Sequence, residues 1–270
     1  MLNAEQEVLA RRRAEVLARI ARAAGLALPA RDDAHTPVAR SDAHTPVARS
    51  DVNAPGARSV ALLAVSKTFS AQAVLALAAS GQRDFGENYL QEALGKMAAC
   101  RAAAPHLDLR WHFIGPIQSN KTRAIAEHFD WVHSVERIKV AERLSAQRPA
   151  QAEALQCCIQ VNISEEESKS GVHPGELLAL VQAMVALPRL RLRGLMAIPE
   201  PNDDREAQRI PFARLRALLH ATNRHLAPSM AMDTLSMGMS ADLEAAVAEG
   251  STWVRVGSAL FGSRVTPPAG

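Results

Sequence analysis

The chain is poor in aromatic side chains, cysteines and long apolar runs, and each shortage narrows what it can be. Phe, Trp and Tyr supply 4% of its 270 residues while hydrophobic residues supply 48%, so the apolar mass is alanine, leucine and valine. No apolar run approaches the roughly 20 residues of a membrane span, which predicts a soluble protein without a membrane partner. The three cysteines, Cys100, Cys157 and Cys158, offer no CxxC spacing. That excludes a zinc site of the usual kind and suggests a reducing, cytoplasmic setting. The N-terminus lacks the apolar core of a signal peptide and carries Arg11, Arg12 and Arg13 instead. A net charge of +3 is too small and too dispersed to argue for a nucleic-acid partner.

What is present begins with a helix over residues 2–24, with Leu9, Val16, Leu17 and Ile20 on one stripe and Gly25 and Pro29 ending it. A low-complexity segment follows. Asp33–Ser41 reads DAHTPVARS, Asp42–Ser50 repeats it letter for letter, and Asp51–Ser59 is a decayed third copy. A nine-residue period with a proline in each unit and little to bury supports no core. The expected organisation is therefore an N-terminal helix over 1–29 packing on the main domain, a mobile linker over 30–59, a barrel over 60–264 and a tail over 265–270.

From Val60 onward two periodicities alternate. Strands are expected at 60–66, 83–87, 110–114, 130–134, 157–163, 191–198, 232–236 and 253–257, and helices at 70–80, 89–104, 119–128, 136–146, 174–187, 204–226 and 241–249. Eight strands separated by seven helices is the count for an α/β fold of the (β/α)8 barrel type, with the N-terminal helix standing in for the missing last one. A doubly wound open sheet is the alternative; it lacks a GxGxxG after its first strand.

In a barrel the carboxyl ends of the strands converge on one face, where chemistry is built. Strand one ends in Ala64-Val65-Ser66-Lys67, and a lysine directly after a buried strand is either a snorkelling side chain or a functional amine. Strand two offers Gly86-Glu87-Asn88, strand three His112, strand five Asn162 and strand six Met196. Strand seven runs into Ser236-Met237-Gly238-Met239-Ser240, with Ser240 the expected N-cap of helix 241–249. That turn is either an ordinary capped turn or half of an anion site, whose second wall would be Gly257-Ser258 after strand eight. Asp242 and Glu244 would repel a phosphate there unless they point away. Strands one and eight are neighbours in a closed barrel, so an amine and a phosphate cup could share one ligand. A lysine amine condenses with an aldehyde to a Schiff base, which makes a phosphorylated aldehyde the natural ligand, pyridoxal 5'-phosphate among them. Arg255, two residues before Gly257, would face the same side. Donating to the pyridine nitrogen, its guanidinium would keep that nitrogen unprotonated.

The segments AVSKT (64–68), FGENYLQE (85–92), WHFIGPIQSNK (111–121), NISEEESKSGV (162–172), RGLMAI (193–198), LSMGMSADLEAA (235–246) and VRVGSALFG (254–262) resemble the pyridoxal phosphate homeostasis proteins, single-barrel relatives of the N-terminal domain of alanine racemase. The resemblance covers nearly all of 60–262. It implies pyridoxal 5'-phosphate as cofactor, with Lys67 as Schiff-base lysine, Asn88 near the cofactor, and Ser236 and Ser240, with the intervening Met237 and Gly238 backbone, around the phosphate. It further implies Arg255 at the pyridine nitrogen and Gly257 and Ser258 closing the cup. The family more often has threonine where Ser258 stands; a hydroxyl is kept. The repeat over 33–59 departs from the family pattern.

Other motifs carry less. His112 and His133 read as proton relays or, beside Trp111 and Trp131, as histidines at the core edge. Glu165-Glu166-Glu167 reads as a solvated loop, with Ser168-Lys169-Ser170-Gly171 a lid. Met196, Met230, Met232, Met237 and Met239 read as pliable packing and not as metal ligands. Three functions compete. An amino-acid racemase needs an acid/base on each face of the cofactor; this chain has one tyrosine, Tyr89. A binding protein that buffers the cofactor or hands it to apoenzymes needs no such partner, and the resemblance implies no established catalytic activity. A lysine aldolase would not need Arg255. The binding protein, a monomer or weak dimer, is the expected reading.

Overall fold

Short runs rich in Val, Leu, Ala and Phe form strands buried on both faces, which is possible only where helices cover a parallel sheet. In the computed structural model, which describes residues 4–25, 60–166 and 169–262, the strands are β1 (Ala61–Val65), β2 (Asp84–Glu87), β3 (Arg110–Phe113), β4 (Trp131–Val135), β5 (Leu155–Gln160), β6 (Leu190–Met196), β7 (Thr234–Ser236) and β8 (Trp253–Val256). They pair in sequence order, all parallel, and β1 closes on β8. The helices are α1 (Ala4–Ala23), α2 (Ala71–Ala78), α3 (Leu90–Ala103), α4 (Thr122–His128), α5 (Ile138–Gln147), α6 (Leu177–Val185), α7 (Arg205–Asn223), α8 (Leu243–Ala248) and α9 (Ser258–Phe261). The fold is a (β/α)8 barrel. The three nine-residue repeats, with the rest of the expected linker, lie outside the described residues, as do Glu167 and Ser168 of the expected lid.

Four expected elements shift for visible reasons. β5 runs from Leu155 to Gln160, because Leu155 already pairs with Leu190 and a register shift at Cys157/Cys158 re-aims the strand. Asn162 therefore lies beyond it. The helices expected at 119 and 174 open with 3-10 turns, Ser119–Lys121 and Pro174–Glu176, before α4 and α6 begin. The helix expected over 241–249 starts only at Leu243, since the Asp242 carboxylate takes the Met239 N–H at 2.5 Å and holds the chain in a turn.

After β8 there is one helical turn, α9, too small to cover its side of the barrel. α1 lies against α2, α8 and α9, burying Leu9, Val16, Ile20 and Ala21. Arginines on its other positions tie it down. Arg13 donates to Ser80 O at 2.9 Å and Gln82 Oε1 at 3.2 Å. Arg19 donates to both Glu244 carboxylate oxygens at 2.7 and 2.8 Å and to Ser240 O at 3.0 Å. The main core lies between strands and helices, while Trp131, Cys158 and Met196 form a separate cluster.

Barrel closure also needs close backbone approach between β6 and β7. A Cβ on Gly194 would sit 1.8 Å from Thr234 O, and a carbonyl oxygen of the ladder has nowhere to go. Gly194→Ala should cost about 3 kcal/mol or more in denaturant unfolding, at or beyond the top of the usual overpacking range. An unchanged midpoint would refute the close packing of these strands.

Candidate functional site

Lys67 sits in a strained turn just past β1. Phe69 N–H returns to Ser66 O at 3.0 Å, so Ser66–Phe69 is a β-turn with Lys67 second and Thr68 third. Thr68 has φ +69° while Lys67 has no positive φ, the pattern of a type II turn, which ordinarily places glycine or asparagine third. A β-branched residue there costs energy and persists only where its surroundings hold it. They do so through a buried ion cluster. Lys96 Nζ donates to Ser66 O (2.7 Å), Glu87 Oε1 (2.5 Å) and Glu92 Oε1 (2.9 Å), which uses all three of its protons. Glu92 Oε1 also takes the Thr68 N–H at 2.6 Å, and Ser66 Oγ donates to Glu87 at 2.6 Å. The peptide groups on both sides of Lys67 are thus pinned by one cation and two carboxylates. Burial raises the Glu87 pKa and Lys96 opposes the shift.

The loops after β7 and β8 meet beside this turn. Ala64 pairs with Val256, and a Cβ on Gly257 would come within 3.3 Å of Val65 O, so residue 257 packs directly on the strand that presents Lys67. Ser240 and Ser258 bring their hydroxyls to 3.4 Å of each other. Gly238 has φ +93°, and a Cβ there would lie 2.5 Å from Ala246 Cβ, so only glycine lets the loop fold back over α8. The two acidic residues that would repel an anion are both engaged: Asp242 accepts the Met239 N–H, and Glu244 pairs with Arg19. The hydrogen bonds from Arg19 and its charge lower the Glu244 pKa against burial. Ser240 is not a helix N-cap; its carbonyl is held by Arg19 and its side chain is left at the loop surface.

Arg255, unlike Lys67, Ser240 and Ser258, is almost fully buried. It donates to Ser236 O at 2.6 Å, Ser236 Oγ at 2.9 Å and Ala197 O at 2.9 Å. Burial lowers its pKa to about 10, which leaves it charged at neutral pH. Behind it a polar chain runs through the barrel: Ser236 Oγ to His133 Nδ1 (2.8 Å), His133 Nε2 to His112 Nδ1 (3.0 Å), His112 Nε2 to Asp84 Oδ1 (3.2 Å). β4 and β7 are not neighbours, so the His133–Ser236 bond crosses the interior. Arg110 closes the far end on both oxygens of Asp84 at 2.6 Å. Burial would raise the Asp84 pKa, but hydrogen bonds from His112 and Arg110 outweigh it and hold it at about 2.

The expected site residues thus divide. Lys67, Ser240, Arg255, Gly257 and Ser258 come together around the ends of β1, β7 and β8. Met237 faces the core and its N–H goes to Trp253 O, so neither side chain nor amide is offered to a ligand. Ser236 is fully buried with its hydroxyl engaged by Arg255 and His133, so it supports the arginine and is no open phosphate contact. His112 and His133 are fully buried links of a polar chain, not core-edge rings. Within the expected lid, Gly171 N–H donates to Glu136 and Lys169 pairs with Glu166 and Glu200, so its described residues are tied down. Asn88 Oδ1, at the end of β2, and Asn162 Oδ1, beyond β5, are buried acceptors without a hydrogen-bond partner among the described residues. Buried acceptors of this kind, an anion-sized hydroxyl pair and a lysine on a strained turn suit a small phosphorylated, hydroxylated aldehyde; the residues present fit that group.

Comparison with known proteins agrees. Residues 51–265 match the family model described as alanine racemase, N-terminal domain. The pyridoxal phosphate homeostasis protein of Pseudomonas aeruginosa is 63% identical, over 76% of this chain and 85% of that one. The protein of the same name from Escherichia coli K12 is 51% identical, over 76% and 86%. The solved structure of PipY from Synechococcus elongatus with PLP bound is 40% identical, covers 75% of this chain and 92% of PipY, and has a TM-score of 0.68. Alanine racemase from Corynebacterium glutamicum, 15% identical with a TM-score of 0.63, shares the fold.

The ion cluster beneath Lys67 can be tested directly. Lys96→Met strips a buried carboxylate of its cation and should cost about 3–5 kcal/mol in denaturant unfolding, while Lys96→Met/Glu87→Leu should recover more than half of the loss. A single-variant cost below about 1 kcal/mol would show that the cluster does not hold the turn.

Proposed function

The chain belongs to the pyridoxal phosphate homeostasis protein family, and from that premise we propose that it holds pyridoxal 5'-phosphate at the barrel mouth and buffers or delivers it without turning over amino acids. The observation that carries this reading is the pairing of β1 with β8, which sets the Lys67 turn against Gly257 and Ser258 with Arg255 on the adjoining strand. When bound, the cofactor supplies an aldehyde that bonds to an amine and a pyridine ring that withdraws electrons. In this reading Lys67 is the tethering amine. Ser240, Ser258 and the Gly257 backbone hold the phosphate on a loop that Gly238 shapes and Arg19 anchors. Asn88 supplies an acceptor for a ring substituent, and Arg255 addresses the ring nitrogen. A guanidinium that keeps its charge at neutral pH meets that nitrogen only as a donor, so the ring stays unprotonated and weak as an electron sink.

A racemase is the competing reading. It needs a second positioned acid opposite Lys67, and Tyr89, the single tyrosine, is 55% exposed at the start of α3. A ring half in solvent is poorly fixed as a stereospecific acid, which favours the binding protein. The cytoplasm belongs to the same proposal: Cys100, Cys157 and Cys158 are all free and buried. So do delivery to apoenzymes and a monomeric or weakly dimeric state.

Two measurements decide the matter. After loading, borohydride reduction and digestion, a phosphopyridoxyl mass should sit on the peptide containing Lys67; finding it on Lys121 or Lys169 sinks the tether. Loaded protein incubated with L-alanine in deuterated water should show no α-proton exchange or D-isomer formation at enzyme-like rates. Racemisation abolished by Lys67→Ala would make the protein an enzyme.

A further inference from the structure

The polar chain inside the barrel has a direction. Arg255 can only donate, so Ser236 Oγ accepts from it at 2.9 Å and must send its own proton elsewhere. The acceptor within reach is His133 Nδ1 at 2.8 Å, which therefore carries no proton. The proton of a neutral His133 then lies on Nε2 and is donated to His112 Nδ1 at 3.0 Å. His112 in turn carries its proton on Nε2 and gives it to Asp84 Oδ1 at 3.2 Å. Asp84 is ionised and can only accept, so both ends of the chain demand the same order. The reverse order needs a doubly protonated His112 and an Nδ1–H on His133. It would bury a second positive charge in an interior that already holds Arg255, and would leave the Ser236 proton without an acceptor in the chain. Burial above all, then His112 and then Arg255, push the His133 pKa well below its usual value, in keeping with a neutral His133 ring.

We propose that His112 and His133 are positioning residues, each neutral and protonated on Nε2, which hold Ser236 as acceptor and thereby set the Arg255 guanidinium toward the barrel mouth. Hydrogen bonds in one such row polarise each other, so the carboxylate of Asp84 is felt at Arg255 through three intervening side chains. The link from guanidinium to cofactor rests on the reading of the site given above; the direction of the chain does not.

The test has two arms. The first uses the full chain without cofactor, labelled with 15N-histidine. Of its nine histidines, His112 and His133 are the two buried ones among the described residues, and their rings are those that a soluble paramagnetic agent should fail to broaden. Both should show a protonated Nε2 and a bare Nδ1 at pH 7; a doubly protonated ring, or a proton on Nδ1 of either, overturns the proposal. The second compares variants by titration with pyridoxal 5'-phosphate. Asp84→Asn can offer an amide N–H to His112 Nε2, which drives that proton to Nδ1 and turns every link round. It should weaken binding at least tenfold and move the proton on both rings. Arg110→Met removes the other partner of Asp84 without touching the direction, and should change affinity less than threefold. Equal losses in the two variants would reduce the chain to a structural feature and overturn the coupling. Should Asp84→Asn fail to fold, the tautomers of the unaltered protein still decide the direction.

Discussion

Closure of β1 onto β8 is the constraint on which the rest depends. Lys67 lies near the start of the described domain and Arg255, Gly257 and Ser258 near its end, and nothing local brings them together. The ladder from Ala61↔Trp253 to Ala64↔Val256 does so by register alone. A slip of one residue would turn the side chains of one strand to the opposite face. Arg255 would then leave the interior for the layer under the helices. Closure also leaves one side of the barrel without a full helix, since α9 is a single turn, and α1 covers it. Through Arg19 that cover reaches Ser240 O, so the segment that completes the barrel also steadies one wall of the loop proposed to hold phosphate.

Much of this was legible from the chain. Each expected strand overlaps an observed one, because strands buried on both faces are written as continuous apolar runs and the helices between them as amphipathic ones. The boundaries that moved did so through interactions no periodicity records. Asp242 capping Met239 delays α8, and the register shift in β5 draws Leu155 into the strand. The ends of the strands were legible as a set of residues but not as a division of labour. Nothing in SMGMS tells that Ser236 turns inward to an arginine while Ser240 turns outward to another serine. That depends on strand alternation continuing through Ser236 and stopping at Gly238. The two histidines carry a signal of their own in the sequence. WHF in β3 and WVH in β4 place an imidazole on the inward face of adjacent strands, and two polar rings side by side inside a barrel have to satisfy each other.

The cluster beneath Lys67 was hidden for another reason. Lys96 stands on the buried side of α3, where a lysine reads as a lapse in the apolar stripe. Its meaning appears only when β1, β2 and α3 are packed together. Glu87 comes from β2, Glu92 from the first turn of α3, and the carbonyl of Ser66 from the turn after β1. Three elements converge on one ammonium, and the Thr68 turn is the place that needs them.

Both buried networks are costly ways to hold a fold. Replacing a buried ion pair by apolar side chains of similar volume is often neutral or stabilising, and a barrel interior can be filled with branched aliphatic residues. Stability alone therefore does not account for Lys96–Glu87 or for the row from Asp84 to Arg255. What the two have in common is their terminus. One ends on the peptide groups flanking Lys67, the other on the guanidinium beside it on the adjoining strand. Each converts a flexible, strongly hydrated cation-bearing side chain into one whose base is held from several directions. An apolar core would keep the barrel closed but would leave the lysine turn free to relax from its strained conformation and the arginine free to choose other acceptors. The polar interior is best understood as the cost of presenting two cations in a set orientation at the mouth of a barrel that apolar side chains alone could keep closed.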